Sequence, residues 1–77
     1  MKSMTDKFSE RLRDARRACK LSQIQLSEMM EVNERQCSRW EIGAVMPRAD
    51  QIDRLCDILH VSADWLLGRV DECLRKD

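Results

Sequence analysis

Residues 21 to 47 read Leu21-Ser-Gln-Ile-Gln-Leu-Ser-Glu-Met-Met-Glu-Val-Asn-Glu-Arg-Gln-Cys-Ser-Arg-Trp-Glu-Ile-Gly-Ala-Val-Met-Pro47. Ser22 stands three residues before Gln25. At that spacing the serine hydroxyl accepts from a backbone N–H and the glutamine side chain reaches back, so a helix starts here. Ile24, Leu26, Met29 and Met30 supply apolar surface, and the helix should run to about residue 30, with the methionine pair filling the core. Glu31 and Val32 form the turn. Asn33 is the next N-cap, and Gln36 stands at the third helical position behind it. This second helix of the pair is expected from Glu34 to about Ile42, closed by Gly43 as a left-handed cap and by Pro47, which blocks continuation. Two short capped helices around a tight turn make a helix-turn-helix arrangement.

The faces of the rod from Glu34 to Ile42 follow from a rotation of about 100° per residue. Cys37, Trp40 and Ala44 fall on one side and are expected to face the core, with Val32 packing under the turn. Arg35, Ser38, Arg39 and Ile42 lie opposite, flanked by Glu34 and Gln36. That outward side carries the chemistry DNA base edges accept: arginine forks onto guanine, glutamine onto adenine, serine onto several bases, and glutamate accepts from cytosine. Gln23 opens the preceding helix beside its unpaired backbone N–H groups, where a phosphate would sit well.

The remaining chain reads as further helices. Phe8, Leu12, Ala15 and Cys19 share one face of a first helix over residues 6–19, which Ser3 or Thr5 caps. Arg11, Arg13, Arg17 and Lys20 lie off that face and read as solvated surface. A fourth helix over residues 49–59 carries Ala49, Ile52, Leu55, Cys56 and Leu59 as its apolar stripe, with Asp50 and Asp53 near its positive start. His60 and Val61 break it. Ser62 caps a brief fifth helix holding Trp65, Leu66 and Leu67, and Gly68 ends it. Val70, Cys73 and Leu74 recur at helical spacing in the tail and suggest one more turn. The fold class is therefore all-α, a compact five-helix bundle, in one domain over residues 1–77 with its core at 6–68 and a tail, 69–77, that could serve dimerisation.

Composition narrows the function classes. Gly and Pro together number three among 77 residues, which excludes a collagen-like or low-complexity chain. No apolar run reaches signal-peptide or membrane-span length, so a cytoplasmic protein with no membrane partner is expected. Lys and Arg balance Asp and Glu at 14 each, yet unevenly along the chain. Residues 1–48 hold 10 basic and 7 acidic side chains (+3), and residues 49–77 hold 4 and 7 (−3). The positive portion is the one containing the helix pair, as a phosphate partner favours. Cysteines at 19, 37, 56 and 73 show no Cys-x-x-Cys, and His60 is the sole histidine. Neither a zinc site nor any other metal or cofactor is expected, and the cysteines read as small hydrophobes. With no glycine-rich phosphate loop and no nucleophile–base spacing, neither an enzyme nor a small-molecule substrate is expected.

The set Leu21-Ser22-Gln23, Leu26-Ser27, Val32-Asn33, Cys37-Ser38, Trp40-Glu41-x-Gly43, Pro47 and Val61-Ser62-x-Asp64-Trp65-Leu66-Leu67 resembles the Cro and phage-repressor (Xre-type) helix-turn-helix family. The resemblance spans about residues 6–68. It implies a lambda-repressor-like DNA-binding domain, with the helix-turn-helix at helices two and three, that works as a homodimer on a pseudo-palindromic operator in double-stranded DNA. Carried over by position, it implies base contacts from Glu34, Arg35 and Arg39, joined by Ser38 from the geometry above. It also implies phosphate contacts from Gln23, Gln36 and Arg48, and a structural ion pair between Arg16 and Glu41. Two positions depart from the family: Glu31 where Gly is frequent, and Ser27 where Ala is usual. The low net charge departs too, pointing to modest non-specific affinity. The sequence stops soon after the fifth helix, so no attached ligand-binding or self-cleaving domain is expected.

The reading is thus a sequence-specific transcriptional regulator, a repressor by occlusion of promoter DNA. The alternative is a protein-interaction module such as the antitoxin of a toxin–antitoxin pair, docking through Val70, Cys73, Leu74 and Trp65.

Overall fold

The computed structural model describes residues 3–72. Five helices follow in order: α1 (Met4–Ala18), α2 (Gln23–Met30), α3 (Glu34–Glu41), α4 (Ala49–Leu59) and α5 (Ala63–Leu66). No strand occurs among the described residues. Four of the five starts are fixed by a side chain from just outside the helix. Ser3, Ser22, Asn33 and Ser62 accept from the backbone N–H of Asp6, Gln25, Gln36 and Trp65, at 3.2, 3.0, 2.8 and 3.1 Å. At α2 the Gln25 side-chain Oε1 in turn accepts from the Ser22 N–H at 2.8 Å, completing a capping box.

The ends follow one rule. Each helix leaves through a left-handed residue: Lys20, Glu31, Gly43, His60 and Gly68, with φ of 59°, 58°, 78°, 57° and 81°. After each, the next N–H folds back five residues, as in Leu21 to the Arg16 carbonyl and Val32 to the Ser27 carbonyl. These bonds satisfy carbonyls that a helix end leaves orphaned. Glycine takes this conformation freely, so Gly43 and Gly68 were legible as stops. Lys20, Glu31 and His60 do so against a steric penalty of about 1 kcal/mol each, held by the turn's own bonds.

Phe8, Leu12, Leu26, Cys37, Trp40, Leu55 and Leu66 are fully enclosed, and Ala15, Met30, Cys56, Leu59 and Val61 complete the core. Every helix contributes to it. Cys19, Val32, Ile52 and Trp65 are partly buried against it.

Several sequence expectations require correction. Met29 is 45% exposed, so only Met30 of the pair fills the core; the inward stripe of α2 is Leu26, Ser27 and Met30, and Met29 falls to one side of it. Ile24 is likewise exposed. Ala44 is exposed because the left-handed Gly43 ends the helical rotation that had placed it beside Trp40. Ala49, the first residue of α4, also lies outside the core. Arg11 is no free surface cation: its NH1 donates to the Trp65 and Val70 carbonyls at 2.5 and 2.6 Å, and its guanidinium lies 5.1 Å from the Trp65 ring centre. It thereby clamps the segment after α5 onto α1. Val70 belongs to no helix, and Cys73 and Leu74 lie outside the described residues.

Candidate nucleic-acid interface

Asn33 starts α3 at the surface, and the indole of Trp40 anchors it inside. Cys37 and Trp40 have no solvent exposure, and Glu41 has 3%. The opposite side is open. Glu34, Arg35 and Arg39 are exposed, with Gln36 and Ser38 half-buried beside them. Among the described residues neither guanidinium has a side-chain partner, so both forks point outward uncommitted.

What holds this rod in place is a buried charge network. Arg16 of α1 donates through Nε and NH2 to the two carboxylate oxygens of Glu41 at 2.7 and 3.0 Å, and through NH1 to the Leu21 carbonyl at 2.8 Å. The bond to Glu41 outweighs the opposing effect of burial and raises the arginine pKa. Gln23, at the start of α2, donates from Nε2 to Glu41 Oε1 at 3.2 Å. One carboxylate therefore ties α1, α2 and α3 together. The arginine–glutamate pair expected from the sequence is present; the glutamine's share in it was not expected. A carboxylate offers about four acceptor sites, and two guanidinium bonds leave room for another. Half of the Gln23 amide is thus engaged inward, while its carbonyl and second N–H stay available.

Ser27 is buried in α2, and its hydroxyl donates to the Ile24 carbonyl at 2.7 Å, so a residue larger and more polar than alanine fits without leaving an unpaired group. Burial pushes the Cys37 thiol up to about 11, with the Glu41 charge adding to the effect. At neutral pH it is a buried, protonated hydrophobe. Among the described residues no three His, Cys, Asp or Glu side chains gather closely enough to hold a metal ion.

Arg48 caps the approach to α4 on the exposed surface. Its guanidinium meets Asp50 at 3.2 and 3.5 Å, and this hydrogen-bonded pairing lowers the carboxyl's pKa. Nearby, Arg54 bridges the turn to α4: NH1 lies 3.1 Å from Glu31 and NH2 donates to the Met29 carbonyl at 3.1 Å. The seven positions expected from the sequence to meet a partner therefore fall into three groups. Glu34, Arg35, Gln36, Ser38 and Arg39 lie on α3. Gln23 sits beside them at the start of α2, held by Glu41. Arg48 stands apart at the start of α4.

A family model described as helix-turn-helix matches residues 12–66, more than half of the chain. The chain belongs to the helix-turn-helix family. Among solved structures, the chain is similar to the P22 c2 repressor protein, whose crystal structure is of its complex with synthetic operator 9T in the presence of Tl+. Identity is 29%, the TM-score is 0.76, and the match covers 88% of this chain and 97% of that one. No curated protein matches the chain. The helix-turn-helix of this family member is α2 and α3. No helix among the described residues is long and apolar enough to cross a membrane.

Proposed function

We propose that this chain is a sequence-specific, double-stranded-DNA-binding transcriptional regulator that represses by covering promoter DNA as a homodimer. The observation that carries the reading is the split character of α3: a fully enclosed indole on one side and, on the other, two exposed arginines that have no side-chain partner among the described residues. An α-helix with its side chains is about 10–12 Å in diameter, which fits the major groove, about 12 Å wide.

In this reading Glu34, Arg35, Ser38 and Arg39 meet base edges. Gln23, Gln36 and Arg48 meet phosphates, which set register and orientation but carry no sequence information. The second N–H of Gln23 is the donor for that contact, with Glu41 fixing its direction. Arg48 exchanges a solvent-exposed carboxylate for a phosphate, an exchange between two weakly held partners. The likeness to a repressor bound to a synthetic operator supports the DNA partner. A dimer is the economical way for so small an interface to gain specificity, because two half-sites double the number of base contacts. The protein would act in the cytoplasm, on nucleoid DNA.

The test is selection from a randomised duplex library, followed by footprinting of the enriched sequence. The reading predicts two half-sites related by two-fold symmetry, their centres about 34 Å or a multiple of it apart. A library that yields no enriched sequence refutes sequence-specific binding; a lone half-site bound by one subunit refutes the dimer.

A further inference from the structure

One residue on the outward side of α3 does not share the chemistry of its neighbours. Ile42 is 72% exposed, the most exposed large hydrophobic residue among the described residues. It is the C-cap of α3, with φ −95° and ψ 0°, and its N–H still bonds the Ser38 carbonyl at 3.1 Å. The helical register therefore holds through this position. Ile42 lies four residues beyond Ser38 and seven beyond Arg35, so the three side chains form one row. The apolar residues that follow, Val45 and Met46, turn back onto the core, whereas Ile42 does not.

We propose that Ile42 is a specificity-determining residue that packs against the C5-methyl group of a thymine in the operator. This inference rests on the DNA-binding reading above and assigns one further contact to the same face. Base edges in the major groove present hydrogen-bond donors and acceptors, and the thymine methyl is their one apolar feature. An aliphatic side chain carried into the groove beside Arg35 and Ser38 has no polar bond to offer. Set against an amino or carbonyl edge, it strips water from that group and returns nothing. Set against a methyl, it removes apolar surface from water on both sides. Ile42 lies about 6 Å along the rod from Ser38, four residues at 1.5 Å each.

The test replaces each thymine of the selected duplex in turn by deoxyuridine, which removes the methyl group alone. At one thymine per half-site the native protein should lose about fourfold in affinity, the effect of burying a single carbon. Ile42→Ala should bind the thymine and uracil duplexes equally, and its melting temperature should match that of the native chain because the side chain is solvent-exposed. Ile42→Leu, which keeps the aliphatic bulk, should retain part of the discrimination. The assignment is overturned if Ile42→Ala stays as sensitive to every methyl deletion as the native protein, or if it weakens operator and scrambled duplexes alike, as a contact to the sugar–phosphate backbone would. A native protein that binds no duplex refutes the DNA-binding reading and this contact together. Binding that ignores every methyl group refutes the contact alone.

Discussion

Arg16 with Glu41 and Arg48 with Asp50 are the same chemical pair in opposite surroundings. The first pair has side-chain exposures of 11% and 2%, the second 75% and 72%. Removing charges from water is expensive, so the inner pair persists only because its groups are almost fully hydrogen-bonded: two bonds within the pair, one from Gln23, and one from Arg16 to the Leu21 carbonyl. The outer pair gives up little hydration and gains little from association. Burial, rather than charge, thus decides which arginines belong to the fold and which remain free for a polyanion. Arg35 and Arg39 stand at the far end of that scale, exposed and without a side-chain partner among the described residues.

This contrast can be broken most severely at the inner pair. Arg16→Ala leaves Glu41 charged and enclosed, and should lower unfolding stability by about 3–5 kcal/mol in urea titrations. A loss below about 1 kcal/mol would mean that the pair is no more than a surface contact. A pH titration sharpens the same point through Cys37, which shares the enclosed environment. Its thiol is raised from 9.0 to about 11. Between those values the unfolded thiol ionises while the folded one stays protonated. Stability contributed here is complete below pH 9, falls as pH rises through the window, and stops falling above about 11. The fall should be roughly 2–3 kcal/mol, and Cys37→Ala should lack it. Equal slopes for both proteins would show that the thiol is not sheltered.

At the outer pair the expected effects are small and of another kind. Arg48→Ala should change unfolding stability by less than about 0.5 kcal/mol. It should weaken binding to every duplex to the same extent, and lower the slope of log affinity against log salt by about one. A change in sequence preference would contradict its placement on the phosphate backbone.

Much of the fold was legible because its punctuation is local. Ser22 with Gln25, Asn33, Ser62, Gly43 and Gly68 act within a few residues of themselves, and each marks a boundary in the structure as in the sequence. What escaped depends on distance. Nothing near Arg11 announces that its partners are carbonyls 54 and 59 residues away. Met29, Ala44 and Ala49 were assigned to the core by periodicity, which tells direction but not whether another element covers that direction. Lys20 and His60 take a left-handed conformation their side chains disfavour; the break at His60 was expected, but neither residue type announced the conformation.

The candidate site was legible in a different way. The outward direction of Arg35 and Arg39 follows from the inward direction of Trp40, five residues and one residue away, a relation the helix itself enforces. The engagement of Gln23 was not legible, because it depends on how many acceptor sites Glu41 has left after α1 docks. A further signal was available: a glutamine at the first position of a helix, facing a glutamate at the end of another, has a donor to give.

The central claim is that the exposed arginines of α3 read sequence, rather than merely attract phosphate. It is tested most directly by measuring Arg35→Ala and Arg39→Ala against both the selected operator and a scrambled duplex at one fixed salt concentration. Each substitution should reduce affinity for the operator by about 1–3 kcal/mol while leaving the scrambled duplex far less affected, so that discrimination narrows. Equal losses on the two duplexes would contradict the account and make these residues phosphate contacts like Arg48.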